Sequence, residues 1–244
     1  MSVEVDSVST TSEPTERILG FSDALFGIAI TFLALELGDV PEEVVSGQEA
    51  VSTFLGSHLS DYLSYAGTFL IVGFLWSRHH QMFRFIKGRS GSLMVTNLFL
   101  LSLVALLPYP ASLVGRGFGL GLALTCLLVP LLVIAIVLAL LFEMAIRQRL
   151  VIPTTSIPTI RSFRASTLAI VGVFTLALVL ALASWWAASS ALFYTAICSC
   201  LLLFLVPFSV RLRWPTAGQA KYSPPNARAL EDREDEVAAQ TRSL

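Results

Sequence analysis

The sequence predicts an all-α membrane protein with six transmembrane helices in each subunit. Of its 244 residues, 55% are hydrophobic and only 14% are charged. Soluble domains are less apolar than this, and several windows exceed the roughly 18 apolar residues that indicate a membrane-spanning helix. A net charge of -1, with basic residues dispersed along the chain, indicates no nucleic-acid partner. The lipid bilayer is therefore the first partner that we expect.

The predicted spans follow the apolar runs in chain order. They cover Ile18–Leu37, Leu59–Ser77, Leu93–Val114, Phe118–Met144, Phe163–Trp185 and Ala191–Val210. We expect Pro130 and Pro207 to kink the fourth and sixth spans, which neighbouring helices in a bundle tolerate. The segment "LLPYP" is expected to do the same near the end of the third span.

Charge placement predicts the orientation of these spans. The Lys and Arg residues beside the spans all fall on one side of a six-span chain, except Arg116. Basic flanks stay on the cytoplasmic side, so both termini are expected there, with the protein spanning the cell membrane. No cleavable signal peptide is expected, because no basic start precedes an apolar run in the first fifteen residues. Residues 1–16 are predicted to be a flexible tail, 17–213 the membrane domain, and 214–244 a disordered acidic tail.

The loop that follows the first span is acidic and contains no Lys or Arg between residues 38 and 61. Its carboxylates, with one that directly precedes it, include Glu36, Asp39, Glu42 and Glu43. One interpretation is a solvated loop that obeys the charge rule for outer segments. The other is a negative vestibule that concentrates cations.

An aspartate stands inside the first apolar span, in "ERILGFSDALFGIAITFLALEL". An ionised Asp23 facing lipid would cost at least ~2.5 kcal/mol, so we expect it to face protein and to be paired. Arg17 lies about 120° away around the helix and is poorly placed as its partner. The end of the second span, "FLWSRHHQMFRF", is the better source, because Trp76 and a histidine ring can donate to the carboxylate. Ser22 can add a further hydrogen bond.

Metal and catalytic chemistry are not indicated by these residues. His79 and His80 diverge by about 100° on a helix and cannot easily share a metal ion. No nucleophile with a base and an orienting acid occurs at a recognised spacing, so an enzyme is not expected. The cysteines, Cys126, Cys198 and Cys200, lie in apolar runs and are interpreted as small buried side chains. We therefore expect no bound cofactor.

The other face of the first span carries a different stripe of residues. Ile28 lies about 140° around the helix from Asp23, and Thr31, Phe32 and Leu35 lie within about 60° of Ile28. In a monomer this stripe would face lipid or pack against protein. If several copies brought it to a symmetry axis, it would form a narrow apolar tube with a ring of hydroxyls.

The motif "RILGFSD", the helix "ALFGIAITFLALEL" that follows it, and "WSRHH" at the end of the second span identify a family resemblance. The chain resembles prokaryotic members of the transmembrane protein 175 family of potassium channels. The resemblance implies one repeat of six spans in each subunit and a homotetramer whose first helices line a central pore. It also implies K+ as the permeant ion, modestly preferred over Na+.

The resemblance further implies roles for individual residues. The constriction falls on Ile28, a hydroxyl layer on Thr31, and further apolar layers on Phe32 and Leu35, with Phe32 replacing the aliphatic residue expected in many relatives. The resemblance also implies that the FSD residues form a structural hydrogen-bonded cluster. With the donors expected from the second span, the predicted cluster consists of Arg17, Phe21, Ser22, Asp23, Trp76 and His79.

Two other functions remain open at this point. An acid and an imidazole within the membrane suit a secondary or proton-coupled transporter that uses Asp23 and His79 as a relay. Against a transporter, the sequence shows no inverted repeat and no matching pair of broken helices. A membrane scaffold without transport is the third possibility.

Overall fold

The computed structural model describes residues 13–187, apart from 48–49, 89, 117–119, 153–154 and 156. All regular elements of this part of the chain are α-helices, so the all-α class is confirmed there. They are α1 (Glu13–Leu35), α2 (Glu42–Val45), α3 (Val51–Ser57), α4 (Leu59–Arg84), α5 (Gly91–Leu106), α6 (Pro108–Gly115), α7 (Leu120–Arg147) and α8 (Ile157–Ala187). The sixth predicted span, Ala191–Val210, and the predicted C-terminal tail lie outside the described residues.

Four stretches of the described chain are long and apolar enough to cross a membrane. They are Glu16–Leu35, Gly91–Gly115, Gly121–Arg147 and Ile157–Ser184. The second predicted span corresponds to α4, whose 26 residues extend about 39 Å. Its length suffices for a span, but its final turns contain Arg78, His79 and His80, which lower its mean hydropathy.

Several helices extend beyond the predicted limits. α1 begins at Glu13 rather than near Ile18, because proline is tolerated in the first turn of a helix. α4 continues past Ser77 to Arg84. Its buried face continues through these last turns with His79, Met82 and Phe83, so packing rather than hydropathy sets the end of the helix.

Proline has different effects at two positions. The third predicted span is divided into α5 and α6, which begins at Pro108, so the chain breaks at the "LLPYP" segment as expected. Pro130, in contrast, lies within the continuous helix α7. The short helices α2 and α3 in the acidic loop were not predicted, since four and seven residues are too few for a clear periodicity.

The helices pack around a core in which α1 contacts α4, α5 and α6, while α7 contacts α5, α6 and α8. The largest fully buried side chains include Phe26, Leu33, Leu75, Met82, Phe142 and Phe174. The loops after α4 and α7 are joined by two backbone hydrogen bonds, from Lys87 N to Leu150 O at 2.7 Å and from Ile152 N to Phe85 O at 2.9 Å. These hydrogen bonds fix the end of α4 relative to α7, and α1 packs directly against α4, where the candidate site lies.

Candidate pore helix and its polar anchor

The Asp23 carboxylate accepts hydrogen bonds from two residues on α4. Trp76 Nε1 donates to Asp23 Oδ1 at 2.8 Å, and His80 Nδ1 lies 3.2 Å from Oδ2 and 3.4 Å from Oδ1. Trp76 and His80 are one turn apart and therefore share a face of α4. The Asp23 side chain is 31% exposed, so this cluster lies at the edge of the helix junction.

A second, buried set of hydrogen bonds joins three helices directly behind this carboxylate. The Ser22 hydroxyl donates to Ile18 O at 2.8 Å and accepts from Asn97 Nδ2 at 3.0 Å. The carbonyl oxygen of Asn97 then faces His79 Nε2 at 2.8 Å. Ser22, His79 and Asn97 are all buried, so α1, α4 and α5 are joined where water is largely excluded.

The direction of these hydrogen bonds fixes the protonation of His79. The Asn97 amide group donates to Ser22, so its oxygen must accept, and His79 Nε2 must carry the hydrogen. The other ring nitrogen, Nδ1, is buried and has no hydrogen-bond partner among the described residues. A proton on Nδ1 would be left without an acceptor, and the ring also lies against Phe26 and Phe83. His79 is therefore the neutral tautomer with its proton on Nε2.

The structure thus brings Ser22, Asp23, Trp76 and His79 to one junction. The two adjacent histidines, however, have different partners there. The ring that contacts Asp23 is His80, whereas His79 bonds to Asn97. The other two members of the predicted cluster, Arg17 and Phe21, are exposed, and the Arg17 guanidinium forms no hydrogen bond to any residue that the structure describes.

Sequence reasoning missed Asn97. The signal was present, since a single amide occurs in the apolar run "SLMVTNLFLLSLVALL". A polar side chain in such a run faces other helices and needs a partner there. Its partners could not be chosen from spacing alone, because they come from α1 and α4.

Arg78 also lies in the segment "WSRHH", but it connects α4 to α8. Its Nη2 donates to Ser166 Oγ at 2.7 Å and to Thr167 Oγ1 at 3.0 Å. The guanidinium carbon lies 4.0 Å from the centroid of the Phe163 ring, a favourable cation–π distance. The end of α4 is therefore fixed on two sides, by α1 and by α8.

The opposite face of α1 has no such contacts with the residues that the structure describes. Ile28 is 53% exposed and Leu35 is 73% exposed, and Phe32 and Thr31 are exposed as well. The Thr31 hydroxyl donates to Ile28 O at 2.8 Å, so its oxygen still has lone pairs that can accept. α1 is buried along another face, which consists of Ser22, Phe26, Ala29 and Leu33. The two faces lie about 150° apart at 100° for each residue.

The acidic residues lie at the other end of α1. Glu42 and Glu43 form the first turn of α2 and are exposed, as is Asp39. The Glu36 carboxylate lies 3.9 Å from Arg116 Nη2, at the end of α6. Arg116 is the one basic residue predicted on the outer side, and the structure places it with the acidic loop. No group of three potential metal-binding side chains occurs within the described part of the chain.

Long apolar helices, joined at buried junctions by hydrogen-bonded polar side chains, define an all-helical, multi-pass membrane protein. Residues 17–108 match the family described as the endosomal/lysosomal potassium channel TMEM175. This stretch, which runs from the first turns of α1 past the end of α5, is similar to the TMEM175 family, and the resemblance seen in the sequence is confirmed over these residues.

Relatives and a solved structure agree with this assignment. A potassium channel of Streptomyces collinus is 35% identical over 100 residues, which are 41% of this chain and 47% of that protein. The endosomal/lysosomal proton channel TMEM175 of Danio rerio is 34% identical over 104 residues, 40% of this chain and 20% of that one. The matched part of the chain thus corresponds to about half the length of the bacterial relative and to a smaller share of the fish protein.

The solved structure is a crystal structure described as a lysosomal potassium-selective channel TMEM175 homolog from Chamaesiphon minutus. It is 27% identical, with a TM-score of 0.64, and the match covers 78% of this chain and 98% of that chain.

Proposed function

We propose that the chain is a subunit of a potassium channel in which copies of α1 line a central pore. The observation that carries this proposal is the division of α1 into two faces. One face is fixed to α4 and α5 through Asp23 and Ser22. The other presents Ile28, Thr31 and Leu35, which pack against no other helix in the described part of the chain. A helix held rigidly on one side can present the other to a symmetry axis.

The proposed assembly is a homotetramer of six-span subunits in the cell membrane, with both termini in the cytoplasm. Its support is the similarity to the Chamaesiphon minutus channel along nearly the whole of that chain. The distribution of Lys and Arg supports the orientation. The contact between Arg116 and Glu36 agrees with it, since it pairs the predicted outer basic residue with the predicted outer acidic segment.

The proposed constriction is a ring of Ile28 side chains, which offer no ligand to a bare ion. The barrier at such a ring is therefore the removal of water from the ion, and K+, which is less strongly hydrated than Na+, crosses more easily. Thr31, one turn further along α1, supplies hydroxyl oxygens that partly replace the hydration shell. Phe32 and Leu35 form further apolar layers.

The polar residues have supporting roles in this proposal. The cluster of Ser22, Asp23, Trp76 and His79 positions α1 and does not contact the ion, because it lies on the side of α1 that packs against the subunit. A negative vestibule above the pore attracts cations in proportion to its charge and is screened by salt. Its residues are Glu36, Asp39, Glu42 and Glu43.

Proton conduction is the second candidate, because several vertebrate relatives are named proton channels. The contact between His80 and the exposed edge of Asp23 provides groups that could carry a proton. A relay between Asp23 and His79, as a proton-coupled transporter would need, is less well supported, since His79 donates to Asn97 and has no direct contact with Asp23.

Ion flux into liposomes that contain the purified full chain tests these functions against one another. The channel proposal predicts passive K+ flux that exceeds Na+ flux several-fold and does not saturate with concentration. Empty liposomes and protein-free detergent extracts provide the background. Saturable flux that requires a pH gradient would show a carrier, proton flux without K+ flux would show the second candidate, and the absence of all three would contradict transport.

A further inference from the structure

We infer that a groove between α7 and α8 binds an anionic phospholipid, with its phosphate at Arg147 and Arg164 and one acyl chain along the helices. The groove lies at the C-terminal end of α7 and the N-terminal end of α8, and it has a volume of about 350 Å3. This site is distinct from the proposed pore, and the inference does not depend on ion conduction.

The walls of the groove suit a hydrocarbon chain. Leu140 on α7 and Leu168 on α8 are both about half exposed, while Phe142 and Thr167 are buried at its floor. Along α7 the lining extends from Ile136 to Arg147, about 17 Å at 1.5 Å for each residue. That length is close to half of the ~30 Å hydrocarbon core, the depth of one leaflet.

One end of the groove is charged, and the charges are held in place. Glu143 contacts both arginines, with Oε1 3.4 Å from Arg147 Nε and Oε2 3.1 Å from Arg164 Nε. Each contact uses Nε, and no described residue is hydrogen-bonded to the terminal nitrogens of either guanidinium. A guanidinium has five N–H donors, so each arginine keeps four for a phosphate.

Charge complementarity identifies the occupant as an anionic lipid. Two arginines and one carboxylate leave a net charge of +1 where the apolar groove opens at the end of the helices. A single phosphodiester carries one negative charge, and its acyl chain fills the groove that a free phosphate would leave empty. The orientation predicted from charge places both arginines at the cytoplasmic ends of their helices, where clusters of Lys and Arg bind such headgroups.

The test is native mass spectrometry of the full chain released from detergent that contains phosphatidylglycerol, phosphatidylcholine or inorganic phosphate. We expect retained phosphatidylglycerol and little of the other two. The double variant Arg147→Gln and Arg164→Gln should weaken retention about 25-fold, equivalent to ~2 kcal/mol. Glu143→Gln, which raises the local charge to +2, should strengthen it.

Arg149→Gln is the control, because Arg149 is an exposed arginine near the same end of α7 that does not line the groove. It should change retention less than twofold. An equal loss in Arg149→Gln and the double variant would show non-specific attraction to basic surface and would overturn the inference. Equal retention of phosphatidylcholine, or no retention of either lipid, would also overturn it, the latter indicating that the groove is covered by another part of the assembly.

Discussion

Sodium flux should rise at least about tenfold in the variant Ile28→Asn, and the ratio of K+ to Na+ flux should fall close to one. A ring of isoleucines excludes an ion by stripping its water, whereas amide groups replace part of that water for either cation. A tenfold increase in sodium flux requires that the free-energy barrier to Na+ at this ring fall by only ~1.4 kcal/mol. The measurement is paired K+ and Na+ flux in liposomes.

The matched control for this variant is Ile28→Leu, which keeps the volume and the apolar character of the side chain. It should retain the selectivity of the unmodified protein. Unchanged sodium flux in Ile28→Asn, with a normally assembled protein, would remove Ile28 from the conduction pathway.

The variant Asn97→Leu should lower the free energy of unfolding by about 2 kcal/mol. It removes the acceptor for His79 Nε2, which leaves a buried N–H donor without a partner. The estimate is at the upper end for hydrogen bonds inside membrane proteins, because both nitrogens of His79 then lack partners. Thermal unfolding in detergent, followed by size-exclusion chromatography, measures the loss of folded protein.

Two further variants make this prediction specific. Thr96→Val removes a partly exposed hydroxyl one residue earlier on α5, which donates to Ser92 O of the same helix, and should change stability by less than ~0.5 kcal/mol. Adding His79→Phe to Asn97→Leu removes the orphaned donor and should recover most of the stability, since replacing both partners with apolar groups is nearly neutral. No recovery in this double variant would show that the role of Asn97 is not its bond to His79.

The positions of the described long helices were predictable because apolar runs and their polar interruptions are local features of the chain. The break at Pro108 was equally local, since proline removes a backbone donor. The end of α4 was not predicted, because Arg78 and His79 read as the polar boundary of a span. They remain helical and buried because α1, α5 and α8 supply hydrogen-bond partners that no window of sequence contains.

The candidate site shows the same division. Helical geometry alone separated Asp23 from Ile28, and the structure has these residues on different sides of α1. The indole of Trp76 was anticipated as a donor to Asp23, but geometry within one helix could not choose between two adjacent histidines. That choice depends on the position of α5, because Asn97 on this helix accepts a hydrogen bond from His79, while His80 contacts the Asp23 carboxylate.

Thiol modification of Ile28→Cys tests most directly whether α1 lines a pore. In a background with the native cysteines replaced, a cationic, water-soluble methanethiosulfonate reagent should react at this position and abolish K+ flux. Val95→Cys, on the exposed surface of α5, is the control, because a thiol facing lipid does not ionise and should not react. Block of K+ flux in Ile28→Cys alone is the predicted result, and K+ flux that persists unchanged in Ile28→Cys would contradict the proposed pore.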